Sequence, residues 1–214
     1  MEDKSFRTIK GQAQCTTIIE KSKFICRIRH VENEDEAKDF VAKIKKQEAF
    51  ATHNCYAYVA DEKGVVRKFS DDGEPQGTAG FPMLNALCEA SLRKAVAVVT
   101  RYFGGIKLGT GGLARAYGGA VRECLKSADT VKVLPCFNFV LTTDFALARK
   151  LSAILLSEKI NTVKTEYFEN VKFSVAVVCD SFDEASLRID KVIDIMGGKI
   201  VSEFISEGFY EERV

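Results

Sequence analysis

One stretch, Val98–Tyr117 (VVTRYFGGIKLGTGGLARAY), limits what this chain can fold into. It begins as an apolar run and crosses five glycines, Gly104, Gly105, Gly109, Gly111 and Gly112. It ends in a helical spacing that carries Arg115. A strand that feeds a glycine-rich loop and then a helix start needs unusual backbone angles and close backbone approach. The same arrangement gathers main-chain N–H groups and is a common way to hold an anion. Arg101, Lys107 and Arg115 flank the loop, and Thr110 adds a hydroxyl. The competing reading is a purely structural turn with solvated charges. The spacing is not that of a GxxxxGK[ST] phosphate loop, because Lys107 precedes the second group of glycines.

Charge around this stretch is one-sided. From Ala90 to Arg122 the chain holds six basic residues (Arg93, Lys94, Arg101, Lys107, Arg115 and Arg122) and no acidic one. Such a block beside a glycine loop points to an anionic partner. The bland reading is a solvated face. Over the whole 214 residues the formal charge is only +1. The halves differ: 22 basic against 17 acidic residues up to Leu134, and nine against 13 from Pro135 onward.

Patterning supplies the remaining elements. AQCTTIIE and KFICRIR read as two strands with a turn at Lys21-Ser22. Asn33 and Glu36 have capping-box spacing before a helix that runs to about Lys46. Cys55–Ala60 and Val65–Phe69 form a hairpin, and Ser70–Pro82 is a long loop rich in Asp, Gly and Pro. Pro82 suits the first turn of the next helix. Ala95–Thr100 is apolar on both faces, as a central strand covered twice should be. The helix after the glycine loop contains Gly118-Gly119, which costs about 1 kcal/mol per glycine against alanine. Close packing of that helix on the sheet is the expected compensation.

Pro135 marks the expected boundary between domains 1–134 and 135–214, with a short strand, Val131–Leu134, before it. Beyond it the order βαββαβ, with caps at Asp144 and Ser181, is that of a ferredoxin-like domain. The fold class is therefore α+β.

Other side chains that bear chemistry are few. Asp71, Asp72 and Glu74 place three carboxylates in four residues, enough for Mg²⁺ or a general base, but Asp-Gly and Glu-Pro are also standard turn dipeptides. Thr78 and Gly80 add a hydroxyl and a flexible backbone to the same loop. His53 and Cys55 share a strand face but have no third, orienting group. The seven cysteines form no CxxC, and only two histidines are present, which points to free thiols in a reducing compartment. The expected cofactor and metal content is none. No secretory h-region and no membrane-length apolar run occurs, so the expected location is cytoplasmic, with no membrane partner.

The strings HNCYAY (53–58), SDDGEPQGTAGFP (70–82) and VVTRYFGGIKLGTGGLARAY (98–117) resemble the signature of the YigZ/IMPACT family. The following 80 or so residues resemble the C-terminal domain of its bacterial members. The resemblance implies an N-terminal left-handed βαβ domain similar to the fourth domain of elongation factor G and to GHMP kinases. It also implies a ferredoxin-like second domain similar to that factor's fifth. Eukaryotic relatives in this family regulate translation by competing for the activator of a translation-initiation-factor kinase. The resemblance brings no established catalytic residues.

The resulting expectation is a non-catalytic, RNA- or ribosome-associated protein in the regulation of translation. Its anion contacts would be Arg101, Lys107 and Arg115 with the loop amides of Gly104–Gly112, and Tyr102 or Phe103 would stack on bases. His53, Asp71, Asp72, Glu74, Thr78 and Gly80 would border the site. Two alternatives stand beside it. One is a nucleotide- or phosphate-using enzyme, since Leu108–Ala114 faintly echoes the GLGSSAA-type loop of GHMP kinases. The other is a protein-interaction module in translational control.

Overall fold

The structure, a computed structural model, describes residues 5–213. The chain divides into two compact units, Phe6–Lys132 and Val133–Glu212.

The first unit opens with β1 (Phe6–Ile9), which sends Ile9 into the core. β2 (Gln12–Ile19) and β3 (Ser22–His30) form a hairpin whose register closes at Ile19 opposite Ser22. The turn residues are therefore Glu20 and Lys21, one position earlier than expected. Both have positive φ, 46° and 64°, the geometry that matches the twist of a two-residue hairpin. α1 (Glu34–Gln47) starts at Asn33, whose side chain accepts the Glu36 N–H, while the Glu36 carboxylate accepts the Glu32 N–H. β4 (His53–Val59), β5 (Arg67–Ser70), α2 (Gly80–Glu89), β6 (Ala95–Tyr102) and α3 (Gly109–Lys126) complete the unit.

The strands form an antiparallel sheet in the order β2-β3-β6-β4-β5, with β6 at the centre. Its side chains alternate as a twice-covered strand requires. Ala95, Ala97 and Val99 enter the core shared with α2 and α3, and Val96 and Val98 enter the one shared with α1. All five are completely buried. β3 and β4 flank β6 and are joined through α1, which makes β3-α1-β4 a βαβ unit.

The two helical glycines play different parts from the one expected. A Cβ on Gly118 would stand 3.3 Å from the Pro82 carbonyl oxygen, so the close approach is between α3 and α2 rather than between helix and sheet. A Cβ on Gly119 would meet nothing within 4 Å.

β7 (Thr130–Thr143) is one continuous strand, in place of two separated at Pro135. Its ladder with the neighbouring strand begins at Cys136, so Pro135 stands outside it and its missing N–H is not needed there. In the second unit α4 (Phe145–Ser157), β8 (Asn161–Tyr167), β9 (Val171–Val178), α5 (Phe182–Ile195) and β10 (Val201–Arg213) follow. Asp144 and Ser181 cap the helices by accepting the N–H groups of Leu147 and Glu184. The order β10-β7-β9-β8, with both helices packed over one apolar cluster, is the ferredoxin-like arrangement. Among the described residues no helix is long and apolar enough to cross a membrane.

Candidate anion and nucleic-acid interface

The glycine loop leaves the central strand at a braced point. Tyr102 donates from its hydroxyl to Glu48 Oε2 at 2.7 Å, and Arg27 pairs with the other oxygen. The Tyr102 hydroxyl, then Arg27, hold the Glu48 carboxyl below its usual range. Tyr102 is thereby fixed to the end of α1 and is not free to stack. Phe103 is the exposed ring of the pair, at 47%, with its N–H bound to Thr52 Oγ1. Ile106 is exposed beside it.

Gly104 is required by contact. A Cβ there would lie 2.0 Å from the Lys21 carbonyl carbon, so the β2–β3 turn rests directly on the loop. The Gly104 N–H donates to Ser22 Oγ at 3.1 Å. Gly105 and Gly109 have φ of +87° and +69° and carry the chain into α3. No side chain caps that helix, and its first turn holds Thr110, Gly111 and Gly112 with no acidic residue. A helix start of this kind leaves main-chain N–H groups available to an outside acceptor. A Cβ on Gly112 would come within 3.0 Å of Leu108 Cβ.

The basic block is largely neutralised by folding. Arg101 is 5% exposed, and its Nη1 lies 2.6 Å from Glu74 Oε1. Lys94 pairs with Glu32, and Arg122 pairs with Glu89 across to α2. Arg93 donates to the Glu62 carbonyl. Lys107 and Arg115 are exposed and, among the described residues, have no ion-pair partner. The expectation that Arg101 contacts a phosphate is therefore corrected, because its guanidinium is committed inside the fold. Two exposed lysines that the linear reading passed over, Lys21 and Lys23, stand on the neighbouring hairpin, Lys23 opposite Tyr102. Only strand pairing brings them to the loop. Glu20 is the acidic residue of that turn.

The 70–80 loop is built on its own carboxylates. Asp71 accepts the N–H groups of Gly77 at 2.8 Å and of Ala79 and Gly80 at 2.9 Å, which supplies the acceptor for the start of α2. Asp72, at φ 45°, accepts the Asn54 N–H at 2.7 Å and pairs with Lys45. The Thr78 hydroxyl donates to the Pro75 carbonyl. The three carboxylates thus point to different partners. Among the described residues no group of three His, Cys, Asp or Glu side chains is placed to hold a metal ion.

Glu74 turns inward and joins three elements. Its Oε1 accepts from Arg101 and, at 2.8 Å, from the Tyr117 hydroxyl of α3. His53 Nδ1 donates to the Asp72 carbonyl at 2.8 Å, and its Nε2 lies 3.9 Å from Glu74. The Cys55 thiol donates to the Asp71 carbonyl at 2.9 Å, and burial pushes it up to about 12. That rules against a thiolate nucleophile at neutral pH. His53, Glu74, Arg101 and Tyr117 form an internal polar network that ties the 70–80 loop to the end of β6 and to α3.

Comparison with known proteins places this geometry. Residues 20–125 match the Impact N-terminal domain family. The IMPACT family member YvyE of Bacillus subtilis (strain 168) is 44% identical over 173 residues, which cover 81% of this chain and 80% of that protein. The IMPACT family member YigZ of Escherichia coli (strain K12) is 36% identical over 173 residues, covering 80% and 85%. A crystal structure described as that of an hypothetical protein is similar with a TM-score of 0.61 at 31% identity, over 96% of this chain and 99% of that one.

Proposed function

The chain belongs to the IMPACT family, and on that premise we propose that it acts in the regulation of translation by binding RNA, free or within the ribosome. The observation that carries this reading is the selective survival of charge at the glycine loop. Of six basic residues in an acid-free block, four are engaged by acidic or carbonyl partners. The remaining two, Lys107 and Arg115, stay exposed beside the uncapped start of α3. Exposed cations close in sequence to free main-chain donors suit a phosphate backbone. Exposed Phe103 offers a ring to an unpaired base.

The test is RNA binding across a salt series. Each phosphate contact to a single strand contributes about 0.7 to the slope of log K against log salt, so Lys107→Ala with Arg115→Ala should flatten it by about 1.4. An unchanged slope would count against the loop as the contact surface. For the nucleotide-using alternative, Asp71 and Asp72 offer little, since both carboxylates already accept main-chain N–H groups. Thermal-shift measurements with nucleotides and Mg²⁺ test it directly.

A further inference from the structure

The ferredoxin-like unit leaves one sheet edge open. β8 ends the strand order, so one side of its backbone pairs with β9 and the other carries no strand among the described residues. Edge strands are usually blunted or covered because their unpaired N–H and C=O groups recruit other strands. Among the described residues no further strand covers this one, and beside its charged Lys164 and Glu166 it exposes Val163 and Tyr167, at 64% and 67%. Val163 also has no partner in the β9 ladder, which shifts register between Thr162 and Lys164.

A groove of about 770 Å³ runs beside this edge, between α4 and β8. Its apolar wall includes Phe145, Leu156 and Tyr167, all well exposed, and the Phe145 and Tyr167 rings stack with centroids 6.4 Å apart. An exposed apolar wall contiguous with an unpaired strand marks an association surface.

The residue order along β8 determines what fits it. Lys164 and Glu166 flank Thr165, and Val163 and Tyr167 flank them in turn. Laid antiparallel on itself about Thr165, the segment is self-complementary. Lys164 faces Glu166 and Glu166 faces Lys164, with Thr165 on the axis, while the bulged Val163 stands outside the regular ladder. We propose that β8 pairs antiparallel with β8 of a second copy of this chain about a two-fold axis at Thr165. The two ferredoxin-like sheets join edge to edge, and the groove of each copy is closed by the other. Opposite charges directly across a strand pair favour that register, and a two-fold contact uses each pair twice. The Lys164–Glu166 ion pair of 2.7 Å within one strand becomes part of a four-charge ladder.

Charge reversal tests the proposal in the full-length chain by sedimentation equilibrium. The wild type should approach twice 23.7 kDa in the micromolar range. Glu166→Lys sets two lysine pairs face to face and should weaken self-association about tenfold or more. Lys164→Glu should do the same. Combining Lys164→Glu with Glu166→Lys restores opposite charges across the axis and should recover the dimer, which also shows that the single variants had not merely misfolded. A wild type that stays monomeric, a dimer indifferent to both single reversals, or a double reversal that stays apart would each overturn it.

Discussion

Arg101 and Glu74 form an ion pair inside the fold, with Nη1 2.6 Å from Oε1 and side chains 6% and 4% exposed. A buried pair need not add net stability, but removing one partner strands the other charge away from water. Glu74→Ala should therefore cost about 3–5 kcal/mol in urea unfolding. Tyr117→Phe, which deletes one donor and leaves the ion pair, should cost about 1 kcal/mol. Equal costs for the two variants would show that the network is not centred on the charge.

Glu48 sets a low-pH limit on stability. The Tyr102 hydroxyl and Arg27 hold its carboxyl below the usual range in the folded state. A depressed carboxylate stabilises the fold at pH values above its unfolded value, about 4.3, and that contribution is lost as pH falls through the folded value. Glu48→Gln should be less stable than wild type at pH 6, and the gap should close as pH drops below about 4. A gap that stays constant down to acid pH would assign the effect to packing.

The cysteines should separate by reactivity. Cys15 is partly exposed, and hydrogen bonding from Cys26 brings it down to about 7, whereas burial pushes Cys55 up to about 12. Alkylation of the native protein at pH 7.5 should label Cys15 ahead of Cys55, as peptide mapping would show. Cys15→Ser should remove the fast phase. Fast labelling of Cys55 without unfolding would contradict its placement in the core.

The paired glycines of α3 should respond differently to alanine. Gly119 faces open space, so Gly119→Ala should raise stability by about 1 kcal/mol through helix propensity. At Gly118 the added methyl meets the Pro82 carbonyl at 3.3 Å and the Arg122 guanidinium at 3.1 Å, which should cancel that gain. Thermal unfolding of the two single variants decides it.

Periodicity and caps made most elements legible, because both are local. Asn33, Asp144 and Ser181 cap as their spacing implies, and the doubly apolar run at Ala95 does lie at the centre of its sheet. Non-local effects were the hidden ones. Arg101 reads as a surface cation until Glu74, 27 residues earlier, folds onto it. Pro135 reads as a break until the ladder is seen to start one residue later. Lys21 and Lys23 lie some 80 residues before the glycine loop, and nothing in the linear order joins them to it.

The hold of Asp71 on Gly77, Ala79 and Gly80 has a wider effect than ordering a loop. It works as a clasp: one anionic side chain gathers the far end of a ten-residue excursion in the way a chelating loop gathers around a cation, with the polarity reversed. Its own carbonyl also receives the Glu74 N–H at 2.9 Å. Opening the clasp would free the surface strap and withdraw the partner of Arg101 from the interior in the same event. A change at position 71 therefore reaches from the surface to the centre of the sheet.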